Sequence, residues 1–379
     1  MPSKKFVFSF FFLLTVLGAA CSRPETAGFD LSGRIENPPQ GQVTLIQEID
    51  INRKQSRPVA IVPVEADGTF NLDLDLPPHI YTLDLYGKKK ITLAVDSGQK
   101  IVIEADGRDL SAARVSGSED TARLEAYEKF RKESLDRLVN RVRDRIKQLK
   151  EANDGSGNAE ELERLNRLEV ENYDKHRDEL IEFVKNEMGT SIAIYATSLR
   201  WDGDRHLDFL QSLAASFERA HPGLAVTEKL KEKVEILKNT SVGGKAPEIS
   251  LPDQSGKKVP LSAAGGKYTL IDFWASWCGP CRRESGTLSE LYDRYRERGL
   301  EIYGVSLDES RDVWLAAIEQ DDRKWPNVAS FRGFETPTAF DYAVTALPAN
   351  FIIDADGKIV AKNLHGESLR ETVEKLFAE

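Results

Sequence analysis

Residues 267–276, KYTLIDFWAS, form a run in which apolar side chains follow one another almost without alternation. A strand with one wet face alternates apolar and polar residues, so this run belongs to a strand covered on both sides. Such a strand needs a sheet with helices on both faces, and the residues that follow supply them. RRESGTLSELYDRYRERG (282–299) reads as a helix, LEIYGVSLD (300–308) as a second apolar strand and RDVWLAAIEQ (311–320) as another helix. NFIIDADGKIV (350–360) then reads as a hairpin and SLRETVEKLFAE (368–379) as a terminal helix. An α/β C-terminal domain over residues 243–379 is the expected result.

The first strand ends in FWASWCGPC (273–281), which contributes two of the three cysteines of the chain. A zinc site needs two further ligands, and His79, His176, His206, His221 and His365 show none of the paired spacings of zinc modules, so no metal is expected. A disulfide that closes so short a loop constrains the unfolded chain little, which makes a purely structural staple a poor explanation. The strand-to-helix position suits redox chemistry. Thiol–disulfide exchange is carried by a thiolate, and a cysteine at a helix N-terminus meets free N–H groups and the positive end of the helix dipole. Cys278 is therefore expected to have a lowered pKa. Cys281 lies within the first turn and can attack a mixed disulfide formed at Cys278. Gly279 and Pro280 keep the loop tight, and proline suits a first turn because it has no N–H to leave unpaired.

The N-terminus suggests a compartment. Lys4 and Lys5 precede FVFSFFFLLTVLGAA (6–20), a run of signal-peptide length and shorter than the roughly 20 residues that span a bilayer. Cys21 follows in LGAACS, which resembles a bacterial lipobox although Gly18 stands where leucine is usual. Residues 1–21 are expected to be an export signal with Cys21 lipidated. Ordinary cleavage nearby and an uncleaved anchor are the alternatives. With 379 residues, a formal net charge of -10 and 30% charged residues, the chain is expected to hold two or three domains and no nucleic-acid surface.

Two further regions precede the α/β domain. Residues 28–116 alternate apolar and polar positions in short runs such as TFNLDLDL (69–76), KKITLAV (89–95) and KIVIEAD (100–106), with turn signals at Asp67-Gly68, Ser97-Gly98 and Asp106-Gly107. About seven strands in a β-sandwich are expected, serving as a protein- or glycan-binding module or as a spacer. Residues 118–239 are helical and charge-rich. Leu135, Leu138, Val142, Ile146 and Leu149 recur at helical spacing before the breaker NDGSGN (153–158), and Leu162, Leu165, Leu168 and Tyr173 follow it. This reads as a helical hairpin in an intramolecular layer, a coiled-coil dimer being the alternative. No internal repeat is present.

FWASWCGPC resembles the active site of the thioredoxin superfamily. GGKAPEISLPDQSGKKVPL (243–261), CGPCRRE (278–284), GVSLD (304–308) and ALPANFIIDADGKIV (346–360) extend the resemblance to the exported TlpA/ResA-like thiol–disulfide oxidoreductases. The sandwich and helices are more loosely similar to the region attached to such domains in Bacteroidetes lipoproteins. The resemblance implies that Cys278 is the exposed nucleophile and Cys281 the buried resolving thiol, a redox-active pair with no other cofactor. It implies that Pro348 is a cis proline opposite the pair, with Leu347 offering backbone hydrogen bonds and Trp277 also contacting substrate. Asp272 matches the buried acid that handles the resolving thiol's proton. A carboxylate in so apolar a strand is expected to be protonated, wet or functional. Glu284 matches a glutamate that tunes the thiol pair, a solvated helix residue paired with arginine being the plainer alternative. Gly286 stands where the family usually has a helix-kinking proline.

The Gly-Pro dipeptide between the cysteines is that of thioredoxin, a reductant. The resemblance thus implies a periplasm-facing, lipid-anchored reductase of exported protein disulfides, such as those of apocytochromes, recharged by a membrane electron donor. A disulfide oxidase or isomerase shares every motif, and a lipoprotein whose N-terminal domain binds protein or glycan while the redox domain is auxiliary is a further alternative. A peroxiredoxin would need Pro-x-x-x-Thr-x-x-Cys, which this sequence lacks.

Overall fold

The computed structural model describes residues 28–151 and 159–378. The expected signal segment and Cys21 lie outside the described residues, as does the NDGSGN breaker. No helix among the described residues is long and apolar enough to cross a membrane.

Eight strands rather than seven build the N-terminal sandwich: β1 (Phe29–Glu36), β2 (Val43–Asp50), β3 (Gln55–Val62), β4 (Thr69–Leu74), β5 (His79–Leu85), β6 (Lys89–Val95), β7 (Lys100–Asp106) and β8 (Asp109–Ser116). They form two sheets in the orders β4-β1-β7-β8 and β3-β2-β5-β6. Alternate residues of the two inner faces meet, among them Leu31, Ile35 and Ile103 from one sheet and Leu45, Leu83 and Leu93 from the other. Strand β3 is mostly exposed and carries Pro58, which an edge tolerates because one row of N–H groups there has no strand partner.

The helical region comprises α1 (Glu119–Leu135), α2 (Arg141–Glu151), α3 (Ala159–Glu187), α4 (Ala193–Thr197), α5 (Gly203–Ala220) and α6 (Ala225–Asn239). Ser118 caps α1, its Oγ accepting from the Thr121 N–H at 3.0 Å. A π-turn at Asp136–Asn140 separates α1 from α2. It inserts an extra residue into the helical repeat, so the fully buried side chain there is Val139 and not Leu138. Beyond it, Val142, Ile146 and Leu149 pack on Leu165 of α3, with Leu162 and Leu168 alongside. The hairpin thus covers its apolar stripe within the chain. Ile80 and Ala94 of the sandwich enter the core made by Leu124, Tyr127, Tyr195, Phe217 and Leu230, so sandwich and helices share one interior.

One member of this region carries an energetic cost. Lys233 on α6 is 2% exposed, and burial holds its ammonium down from 10.5 to about 8, opposed only partly by Asp50. The unfolded chain therefore holds more protons between about pH 8 and 10.5. Stability rises with pH through that window, and the full penalty is present below it. Lys233→Met is expected to stabilise the protein at neutral pH by about 2–3 kcal/mol and to remove the rise above pH 8. Urea midpoints of both proteins as a function of pH would show this.

The C-terminal domain begins with a short hairpin, β9 (Ser250–Pro252) and β10 (Lys258–Pro260). Its sheet contains β11 (Tyr268–Trp274), β12 (Leu300–Ser306), β13 (Asn327–Ala329), β14 (Ala349–Asp354) and β15 (Ile359–Lys362) in the order β13-β12-β11-β14-β15. Strands β11, β12 and β13 run parallel, and β14 and β15 are antiparallel to their neighbours. The helices are α7 (Gly279–Tyr295), α8 (Arg311–Gln320), α9 (Pro337–Asp341) and α10 (Gly366–Ala378). Successive residues of β11 point to opposite sides of the sheet and both sides are buried: Leu270 joins the core beneath α7 and α10, while Ile271 and Phe273 join Tyr303, Tyr342 and Phe351 on the other. That explains the unbroken apolar run.

Candidate functional site

The cysteines stand where β11, the central strand, turns into α7. Cys278 is the N-cap of α7 with extended backbone, Pro280 lies in the first turn, and the Cys281 N–H donates to Cys278 Sγ at 3.2 Å. The two sulfurs are joined in a disulfide, with Cα atoms 5.3 Å apart. An N–H aimed at Sγ, at the positive end of a 17-residue helix, is an arrangement that stabilises negative charge on that sulfur.

Expectation and structure differ over exposure. Cys278 is only 4% exposed and Cys281 2%, because Trp274, Ala275, Trp314 and Ala329 close around the pair and Leu347 packs against it. Trp277 beside them is 60% exposed, its ring 6.2 Å from that of Phe334. The Leu347–Pro348 peptide is cis, at the entry to β14. Leu347 packs against the buried pair, and Trp277, next to Cys278 in the chain, forms an exposed rim with Phe334.

The loop ahead of Cys278 is held by Asp308, the last residue of GVSLD. Its buried carboxylate accepts from the Ser276 N–H at 3.0 Å, from Ser276 Oγ at 2.6 Å and from Ser306 Oγ at 2.8 Å. Arg282 fastens the first turn of α7 by donating to the Ser276 carbonyl at 3.1 Å and to Asp321 Oδ1 at 2.8 Å.

Asp272 lies on β11, opposite Gly304 on β12 and Asn350 on β14. It is buried as expected but is not unpaired: it forms an ion pair with Arg323, whose side chain is fully enclosed. Arg323 also donates to Ser285 Oγ at 2.7 Å and to Asn327 Oδ1 at 3.1 Å, and its guanidinium lies 3.9 Å above the Trp274 ring. Burial pushes the Asp272 carboxyl up, and the arginine beside it opposes that shift. The guanidinium keeps its proton, since arginine does not titrate in the accessible range. Gly304 leaves room for this arrangement: a Cβ there would lie 2.4 Å from Asn327 Oδ1.

Glu284 is neither a solvated residue nor an arginine partner. Its Oε2 accepts from His365 Nδ1 at 2.7 Å and its Oε1 from the Gly366 N–H at 2.8 Å, which ties α7 to the start of α10. Helix α7 continues unbroken through Gly286. Arg323, Asp308, His365 and Phe334 escape the sequence reading. Only Asp308, inside GVSLD, carried a local signal. Among the described residues, no group of three or more His, Cys, Asp or Glu side chains is arranged to hold a metal ion.

A central strand leading into a dithiol-capped helix, faced by a cis proline, defines a thioredoxin-like domain. Comparisons with known proteins agree. The AhpC/TSA family profile matches residues 242–362. The thiol-disulfide oxidoreductase ResA of Bacillus cereus is 38% identical over 144 residues, 38% of this chain and 78% of that protein. ResA of Bacillus subtilis is 31% identical over 128 residues, 32% of this chain and 65% of that protein. The thioredoxin domain of a thiol-disulfide oxidoreductase from Bacteroides vulgatus is 38% identical, with 36% of this chain and 97% of that one aligned and a TM-score of 0.35. The chain belongs to the TlpA/ResA-like thiol–disulfide oxidoreductases and is an enzyme of that class.

Proposed function

We propose that the protein is an exported, lipid-anchored reductase of protein disulfides that works through Cys278 and Cys281. One observation carries this reading: Cys278 Sγ is the N-cap of α7 and receives the Cys281 N–H, while Leu347 packs against the pair beside a cis peptide bond. In the reduced protein that environment favours a thiolate at Cys278. The thiolate attacks one sulfur of a substrate disulfide, forming a mixed disulfide and expelling the other substrate sulfur as a thiolate. Cys281 then loses its proton and attacks Cys278 Sγ, which re-forms the Cys278–Cys281 bond and releases the second substrate thiol. Two electrons pass to the substrate, and a membrane dithiol donor restores the pair. No cofactor beyond the disulfide itself takes part.

Supporting roles follow from position. The Leu347 backbone and the Trp277 ring would receive an extended substrate chain. Asp272, held by Arg323, would accept the Cys281 proton, with Glu284 acting on α7 through its link to His365. Export and attachment through Cys21 are supported by the apolar leader and by the cysteine that follows it. The substrate class, exported proteins that carry disulfides, rests on the family.

Cys281→Ser in the full chain tests the reading, because a mixed disulfide at Cys278 can then no longer resolve. Incubated with insulin, the reduced variant is expected to accumulate a covalent adduct that dithiothreitol cleaves and that peptide mapping places on Cys278. Absence of an adduct, or an adduct elsewhere, would remove the proposed chemistry.

A further inference from the structure

The turn between β2 and β3, residues 51–54, reaches from the sandwich to both other regions. Arg53 Nη1 pairs with Asp50, the last residue of β2, at 2.8 Å and Nη2 with Glu232 on α6 at 2.7 Å. Its guanidinium also lies 3.7 Å from the centroid of Phe340 on α9. Lys54 pairs with Glu335 in the same C-terminal segment at 3.4 Å. Ala343, two residues beyond α9, packs against the shared core of sandwich and helices.

That segment also borders the disulfide. It begins with Phe334, the ring that faces Trp277, and leads on to Leu347 and the cis proline. One end of residues 334–343 therefore forms the rim of the candidate site, while the other end is gripped by the N-terminal region. A guanidinium fixed by two carboxylates and placed over a ring restrains that ring's position more than apolar contact does.

We propose that Arg53 is a positioning residue for polypeptide substrates. By clamping Phe340 it holds the Phe334 segment against Trp277, so the sandwich sets the shape of the surface on which an extended disulfide-bearing chain lies. This rests on the reductase reading and assigns the N-terminal region a part in it. A small disulfide needs only the sulfur of Cys278 and is indifferent to the clamp.

The test uses the full chain in detergent, recharged by dithiothreitol, with insulin as the polypeptide disulfide and 2-hydroxyethyl disulfide as the small one. Arg53→Ala is expected to raise KM for insulin about fivefold to tenfold with kcat nearly unchanged and to leave turnover of the small disulfide at the wild-type level. Phe340→Ala should do the same, and the double variant should be little worse than either single one. Arg53→Lys, which keeps the charge but cannot span both carboxylates while covering the ring, should raise KM for insulin nearly as much as Arg53→Ala. Unchanged insulin KM in both single variants, or an equal loss on both substrates, would overturn the inference. A wild-type chain that turns over neither disulfide would refute the reductase reading itself, and this inference with it.

Discussion

Cys278→Ser is expected to lower reduction of insulin by the full chain by about a thousandfold or more, to the uncatalysed rate of the dithiothreitol present. A hydroxyl at the N-cap still accepts the Cys281 N–H, so α7 stays capped and the fold is retained. The loss is one of chemistry: no thiolate stands where the substrate sulfur arrives. Insulin turbidity measured beside an unchanged unfolding curve would demonstrate it. Residual turnover within tenfold of wild type would assign the nucleophile elsewhere.

Arg323→Met is expected to have the largest effect on stability. It leaves the Asp272 carboxyl in a closed interior without the guanidinium, Ser285 Oγ loses its donor, and Trp274 loses the cation above its ring. Removing one member of a buried pair costs about 3–5 kcal/mol. The sign with pH is defined. With arginine gone, burial raises the carboxyl pKa further above 3.8, so the folded state holds a proton that the unfolded state has released. Stability then falls as pH rises from about 3.8 through the raised value. Urea unfolding of the variant should show a smaller deficit near pH 4 than at pH 7. Asp272→Asn combined with Arg323→Met should recover much of the loss, since no charge is then left buried.

How far the sequence revealed this structure depended on the range of the interaction. The run 267–276 showed a strand buried on both faces because that information lies in consecutive residues. The turn from β11 to α7 was legible from Pro280 and the cysteine spacing for the same reason. Arg323 was not, since it lies in Asp321-Asp322-Arg323-Lys324, which reads as a solvated charge run; only pairing with Asp272, 51 residues earlier, accounts for its burial. Glu284 and His365 are 81 residues apart, and helical spacing tells nothing of such a contact. The π-turn moved burial from Leu138 to Val139, a one-residue slip that periodicity alone cannot register. Burial of Cys278 arises from Trp314, Ala329 and Leu347, each delivered by a different element.

The pairing of Arg323 with Asp272 also bears on what the acid can do. A carboxylate held beside a permanent cation gives up its proton more readily than the same group in a bare apolar pocket. Arg323 thus opposes the rise that burial imposes on the Asp272 carboxyl, and it also grips Ser285, one turn beyond Cys281. The proposed part of Asp272 as acceptor of the Cys281 proton rests on this opposition between burial and Arg323.

The reduction potential of the Cys278–Cys281 pair tests the central claim most directly. It can be measured on the full chain by thiol trapping across glutathione and dithiothreitol buffers. A reductase of exported disulfides predicts a value below about -230 mV. A value near -120 mV, that of a strong oxidant, would contradict the account, as would failure of the two cysteines to form a disulfide in any buffer.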